Sequence, residues 1–193
     1  MRNFFQRFIL VLTDPDGSTY DLYNTPQIGD AFFMVSLYAG LSAVNSFTSA
    51  MAMTGMLSVG FIAVVGSALI VYLMWVFLTI MFRLLGSMLG GKGELPNTLG
   101  FVGLAAAPMV VTTCLSIVVT VGGIFFLEED PSEILPPVRL GLSLVGMAWG
   151  WPGVLCYFGL KNAEHLHPLK AIVVTMVLFF GFAAFEIFSS NVF

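Results

Sequence analysis

The chain has 193 residues, of which 58% are hydrophobic and only 9% are charged, and its formal net charge at pH 7 is −4. A soluble domain carries about 25% charged residues, so a water-soluble fold of this length could not bury so much apolar surface. The composition therefore predicts an all-α integral membrane protein, and seven basic residues within a net negative charge argue against a nucleic-acid partner.

The first predicted element is a short amphipathic helix over residues 1–12. Its apolar residues recur at helical spacing on one side: Phe4, Phe5, Phe8 and Leu12. Arg2 and Gln6 lie on the opposite side, a pattern that predicts a helix lying in the cytoplasmic interface of the membrane. A leader helix packed on the bundle fits the same pattern, and the sequence leaves both readings open. Residues 13–17 follow with Asp, Pro and Gly, which predict a turn.

The rest of the chain, 13–193, is predicted to be a single membrane domain with five transmembrane helices. The predicted spans are about 31–52, 59–83, 97–127, 138–160 and 169–190. Residues 31–82 contain no charged side chain, and a turn near Gly55 divides them into two crossings. The glycine-rich segment Arg83–Pro96, the acidic and proline-containing segment 128–137, and the polar segment Lys161–Pro168 predict the remaining loops.

The distribution of basic residues predicts that the N-terminus is inside and the C-terminus outside. With five crossings, the N-terminus and the second and fourth loops lie on one side of the membrane. That side carries six of the seven basic residues: Arg2, Arg7, Arg83, Lys92, Lys161 and Lys170. Cytoplasmic loops are enriched in Lys and Arg, so this side is predicted to face the cytoplasm.

The loop after the second predicted span is the first candidate contact site. Its glycines, Gly90, Gly91 and Gly93, permit a tight turn, and Lys92 can reach a lipid phosphate. The predicted contact residues for partners or lipids are Arg83, Gly90, Gly91, Lys92, Gly93, Lys161 and Lys170. Gly86 and Gly91-Lys92 also resemble part of a nucleotide-binding P-loop. That loop needs Ser or Thr after the lysine and a strand before it, so no nucleotide site is predicted.

Small-residue spacing predicts close helix packing at two places. The pairs are Gly86 with Gly90 and Gly146 with Gly150, each four residues apart. Packing within the chain and packing between copies in a homo-oligomer both fit this spacing.

No metal site is predicted, although two motifs carry ligand-type side chains. Met51, Met53 and Met56 are a weak alternative, because thioethers suit copper(I) but also fill gaps between helices. Glu164-His165-Leu166-His167 is interpreted as a solvated turn, since two histidines two residues apart do not share a helix face. Cys114 and Cys156 lie in separate predicted spans and indicate neither a disulfide nor a Cys-x-x-Cys site.

The predicted spans contain no nucleophile with its base, so we predict no enzyme and no cofactor. Glu186 is the one acidic side chain inside a predicted span, near its outer end, where it can reach the surface. A small transporter or channel for lipid, ion or metal is the alternative function. Its polar path would use Asn45, Ser46, Thr48, Ser49, Thr112, Thr113, Ser116, Thr120 and Glu186.

Three groups of residues, in this order, resemble the Yip family of Ypt/Rab-interacting membrane proteins. They are Thr13-Asp14-Pro15-Asp16; then Leu89–Gly93 with Leu99–Ala105 and Ala107-Pro108; then Trp149 and Trp151 with Gly159–Ala163 and Leu169–Ala171. The match is closest to the prokaryotic branch of the family, which implies a prokaryotic cytoplasmic membrane rather than a eukaryotic endomembrane.

The resemblance implies a five-span membrane fold and supplies no catalytic residues. Our first functional hypothesis is a non-enzymatic scaffold, adaptor or accessory subunit that binds partners or lipids through its cytoplasmic loops. The expected partners are membrane lipids and either other membrane-protein subunits or further copies of the chain. Small-GTPase binding is implied by the resemblance alone. Eukaryotic members carry a longer cytosolic N-terminal region, whereas this chain has residues 1–30 before the first predicted span.

Overall fold

The computed structural model describes residues 4–20, 28–126 and 147–190, and within them every regular element is a helix. The helices are α1 (Phe4–Thr13), α2 (Pro15–Tyr20), α3 (Ile28–Thr54), α4 (Leu57–Met88), α5 (Leu95–Leu104), α6 (Ala107–Phe126), α7 (Met147–Asn162) and α8 (Pro168–Ser190). The all-helical prediction is therefore confirmed for the part of the chain that the structure describes.

Among the described residues, three segments are long and apolar enough to cross a membrane: Ile28–Met51, Leu57–Met88 and Leu95–Val118. Many apolar side chains of α4 are exposed, including Phe61, Ile62 and Leu69. Such a surface is unfavourable in water but is the ordinary exterior of a helix in lipid. Helix α7 has 16 residues, and residues 138–146 of the fourth predicted span lie outside the described residues. The count of five spans stays a prediction.

The third predicted span is divided into two helices, α5 and α6, by Ala105 and Ala106. The amide of Ala106 donates to the carbonyl of Gly103 at 3.1 Å, a tighter pairing than that of an α-helix. Pro108 follows in the first turn of α6 and lacks an amide hydrogen, so an uninterrupted α-helix through it would lose a backbone hydrogen bond and clash with the turn before it. The first turn of a new helix accommodates the proline without that cost.

Helix α5 lies inside the bundle, packed against α3, α4 and α7, and most of its residues are buried. Two glycines allow this close packing. A Cβ atom on Gly103 would lie 2.6 Å from the Cβ of Ala31 in α3, and one on Gly159 in α7 would lie 2.3 Å from the Cγ of Phe101. Neither glycine belongs to the pairs singled out by spacing.

The glycines of the predicted packing pairs have different surroundings. Gly86 is buried, and a Cβ atom there would make ordinary contact with Leu160 at 3.7 Å. Gly90 follows α4 with a φ of +91°, and a Cβ atom on Gly90 or on the exposed Gly150 would meet nothing within 4 Å. Gly146 lies outside the described residues. Contact of Gly90 and Gly150 with another copy of the chain stays a prediction.

Helix α1 packs on the bundle by one side. Val11 is buried, the ring of Phe4 lies 4.5 Å from that of Phe33, and the indole of Trp151 donates to the carbonyl of Val11 at 3.4 Å. Apolar side chains of α1 also remain outside this contact, with Phe5 76% and Ile9 58% exposed. The helix expected near residues 1–12 is therefore present and packed on the bundle, while its position in the membrane interface stays a prediction.

The turn predicted over residues 13–17 is wrong in part, because helix α2 begins inside it. Pro15 occupies the first helical position, where its missing amide hydrogen costs nothing. The side chain of Asp14 accepts a hydrogen bond from the amide of Gly17 at 3.0 Å, which is the geometry of a helix N-cap. Asp14 and Pro15 thus start helix α2, and Asp14 is the single residue between α1 and α2.

Gly159→Ala should destabilise the protein, because Phe101 is fully buried and cannot move away from the added methyl group. Overpacking of this kind costs about 1–3 kcal/mol, which should appear as a lower midpoint of thermal unfolding in detergent. Gly150→Ala in the same helix is the matched control. An equal effect of the two substitutions would contradict the packing described for α5 and α7.

Candidate functional site

The two loops that carry most of the predicted contact residues lie against each other at one end of the bundle. The amide of Lys92 donates to the carbonyl of Glu164 at 2.9 Å, and the ammonium group of Lys170 donates to the carbonyl of Leu89 at 2.7 Å. Lys170 thereby satisfies a free carbonyl at the C-terminal end of α4, where a positive charge is favourable. We call residues Leu89–Glu94 and Ala163–Lys170 together the loop face.

The side chain of Glu164 is the centre of the loop face and is 0% exposed. Its carboxylate accepts a hydrogen bond from Arg83 Nη1 at 2.7 Å and another from the hydroxyl of Thr98. A buried charge is tolerated when it is paired and hydrogen-bonded in this way. The interpretation of Glu164 as part of a solvated turn is therefore wrong, whereas His165 and His167 are exposed as that interpretation expected.

Glycines are required around Glu164 because the loop passes too close to it for side chains. A Cβ atom on Gly93 would lie 2.6 Å from the carbonyl oxygen of Ala163 and 2.7 Å from the Cδ of Glu164. A Cβ atom on Gly91 would lie 2.9 Å from the carbonyl oxygen of Gly86. This loop closes around the Glu164 carboxylate, which is already bonded to Arg83 and Thr98.

A second polar cluster fastens helix α2 to the end of α7. Lys161 Nζ lies 3.1 Å from Asp16 Oδ1, and Asn162 Nδ2 donates to the same oxygen at 2.8 Å. Asn162 Nδ2 also lies 3.0 Å from the hydroxyl oxygen of Thr19. The N-terminal segment is therefore fixed at the same end of the bundle as the loop face.

The four basic residues among the predicted contact residues fall into two groups. Arg83 and Lys161 are held in ion pairs with Glu164 and Asp16. Lys92 and Lys170 are exposed and form no ion pair with any residue that the structure describes. The first group holds the loops and the N-terminal segment in place, and the second remains accessible to a partner or to lipid.

The weaker candidates gain no support from the geometry. Residues 4–20, 28–126 and 147–190 contain no group of three His, Cys, Asp or Glu side chains that could hold a metal ion. Met56 is exposed beside Gly55, whose φ is +64°, while the side chains of Met53 and Glu186 lie outside the described set. Cys114 is exposed on α6 and Cys156 is buried in α7.

Sequence reasoning missed the pairing of Arg83 with Glu164 and that of Asp16 with Asn162. The partners are separated by 81 and 146 positions, so local patterns carry no direct signal of either contact. One indirect signal exists for the first pair. Arg83 is the sole charged residue at the end of a long apolar stretch, and a group so placed requires a partner or access to water.

Replacing Arg83 by Met should destabilise the protein more than replacing Glu164 by Gln. The first change leaves a fully buried carboxylate without its cation, and breaking a buried pair in this way costs about 3–5 kcal/mol. The second change retains an oxygen that can accept from Arg83 and Thr98, and Arg83 is partly exposed and can turn toward water. Thermal unfolding of the two variants in detergent measures the difference, and the reverse order would contradict the assigned role of Glu164.

The attachment of α2 to α7 should be lost only at strongly acidic pH. The hydrogen bond from Asn162, followed by that from Lys161 and its charge, lowers the pKa of Asp16 below its ordinary value of 3.8. A lowered carboxyl pKa stabilises the folded state above the unfolded-state pKa, and this contribution disappears as the pH falls through the folded-state pKa. The protection factors for hydrogen exchange of residues 16–20, which compare each observed rate with the intrinsic rate at the same pH, should therefore fall below pH 3.8.

Asn162→Ala should move this transition to higher pH, because it removes the largest cause of the lowered pKa. Thr54→Ala, at the C-terminal end of α3, provides the control and should leave the protection of residues 16–20 unchanged. A transition that stays at the same pH without Asn162 would show that this hydrogen bond does not hold the carboxylate.

Comparison with known proteins assigns the sequence to a family. The family model described as the Yip1 domain matches residues 9–188, which include both polar clusters and the loop face. No curated protein and no solved structure gave a significant match. The match does not distinguish branches of the family, so the prokaryotic assignment stays a prediction. Because the match extends over nearly the whole sequence and the helices are those of a membrane protein, the chain belongs to the Yip1 domain family of integral membrane proteins.

Proposed function

We propose that this protein is a non-enzymatic membrane scaffold, adaptor or accessory subunit that binds protein partners or lipids through the loop face. The observation that carries the proposal is the buried Glu164 carboxylate, bonded to Arg83 and Thr98. These bonds join α4, α5 and the α7–α8 loop, so the surface around Lys92 is ordered before any partner arrives. A pre-organised surface binds with a smaller loss of conformational entropy than a flexible loop does.

The proposed topology has five crossings, with the N-terminus and the loop face in the cytoplasm. Helix α2, the loop after α4 and the loop after α7 all meet at one end of the bundle. This arrangement is the one expected if two crossings separate each of these segments from the next. The enrichment of basic residues at this end supports the cytoplasmic orientation.

The transporter alternative has no specific observation in its favour. The hydroxyl groups of Thr48 and Thr112, both on its predicted polar path, donate to carbonyls of their own helices at 2.9 and 3.1 Å. Hydroxyl groups satisfied in this way are compatible with ordinary packing of helices in a membrane.

A photo-crosslinking amino acid at His167 tests the proposed face, because this position is exposed and outside both ion-paired clusters. Irradiation in the native membrane should give a discrete set of adducts from position 167. The matched control places the same photo-crosslinking amino acid at position 58. Ser58 is exposed at the start of α4, at the end of the bundle opposite the loop face. Absence of adducts at position 167, or the same adducts at both positions, would contradict binding through the loop face.

A further inference from the structure

The two accessible lysines of the loop face lie on either side of one tight turn. Lys170 Nζ is 2.7 Å from the carbonyl oxygen of Leu89, at the start of the turn, and Lys92 is at its end. Hydrogen bonds of the amides of Gly90 and Gly91 to carbonyls of α4 hold the turn in shape. Two lysines that are far apart in the sequence therefore adjoin the same turn.

Exposed apolar side chains lie at the helix ends next to these loops. Met88 is 74% exposed, Leu95 is 53% exposed and Leu169 is 68% exposed, each next to a helix end of the loop face. Helix α4 and the Leu95–Val118 segment, which adjoin the turn, are candidate membrane spans. Lysines beside lipid-facing apolar residues at the ends of spans lie at the depth of the phospholipid headgroups.

The charge of this patch is positive but small. Glu94 is exposed within the same loop and opposes Lys92 and Lys170, while Glu164 is neutralised by Arg83. His165 and His167 are also exposed at the patch. A patch of this kind attracts one anionic headgroup rather than a polyanion.

We propose that Lys92 and Lys170 form a binding site for the phosphate of an anionic phospholipid, with Met88, Leu95 and Leu169 against its acyl chains. This site deepens the proposed function by naming a ligand class for the loop face. A lipid is favoured over a water-soluble acidic protein segment because exposed apolar side chains lie close to both lysines along the chain. A soluble segment would have to leave these side chains exposed or bury them with apolar residues of its own.

Native mass spectrometry of the detergent-purified protein with equal amounts of phosphatidylglycerol and phosphatidylcholine tests the site. The wild-type protein should retain phosphatidylglycerol preferentially. Each lysine near the membrane surface contributes about fivefold to binding, so Lys92→Gln with Lys170→Gln should reduce the preference by roughly tenfold or more. Glu94→Gln, which removes the opposing charge from the same loop, should increase it.

Thermal unfolding of each variant shows whether the fold is intact, and Lys170→Arg preserves the charge if Lys170→Gln loosens the end of α4. Equal retention of the two lipids by the wild-type protein would overturn the lipid site, as would an unchanged preference after both lysines are replaced. If the lipid test fails but position 167 still gives specific adducts, the loop face remains the proposed contact face and its partner is a protein. Failure of both experiments would remove the contact face as well.

Discussion

The ion pair between Arg83 and the buried carboxylate of Glu164 is the interaction on which the loop end of this protein depends. Removing a carboxylate from water costs several kcal/mol, which is recovered only if a cation and hydrogen-bond donors surround it. Arg83 at the end of α4 and Thr98 in α5 provide these groups. Because three segments must meet to satisfy one side chain, the geometry of each is tied to that of the others.

The glycines of the loop follow from the same constraint. The main chain at Gly91 and Gly93 passes so close to Glu164 and its neighbours that no Cβ atom fits there. Gly90 serves a different purpose, because its φ of +91° is unfavourable for residues with a side chain. The stretch that looks like a flexible linker in composition is therefore a closely packed cover over a buried charge.

Polar contacts also join the N-terminal segment to the bundle. Arg7 of α1 pairs with Asp30 of α3, and Asn162 of α7 donates to Asp16 of α2. Between these ties, Val11 contributes to the apolar core. The N-terminal helices thus pack on the same bundle, and Lys92 and Lys170 remain the accessible lysines of the loop face.

The sequence by itself determined the class of protein, its family and the position of most helices, because long uncharged stretches and glycine- or proline-containing breaks are local properties of the chain. It also placed the polar residues of interest in the correct loops. Local patterns could not show that Arg83 and Lys161 are engaged in ion pairs while Lys92 and Lys170 are accessible. Nor could glycine spacing reveal the contacts of Gly103 with Ala31 and Gly159 with Phe101. Those features depend on which helices become neighbours, so the tertiary structure alone decided which charges hold the fold and which face outward.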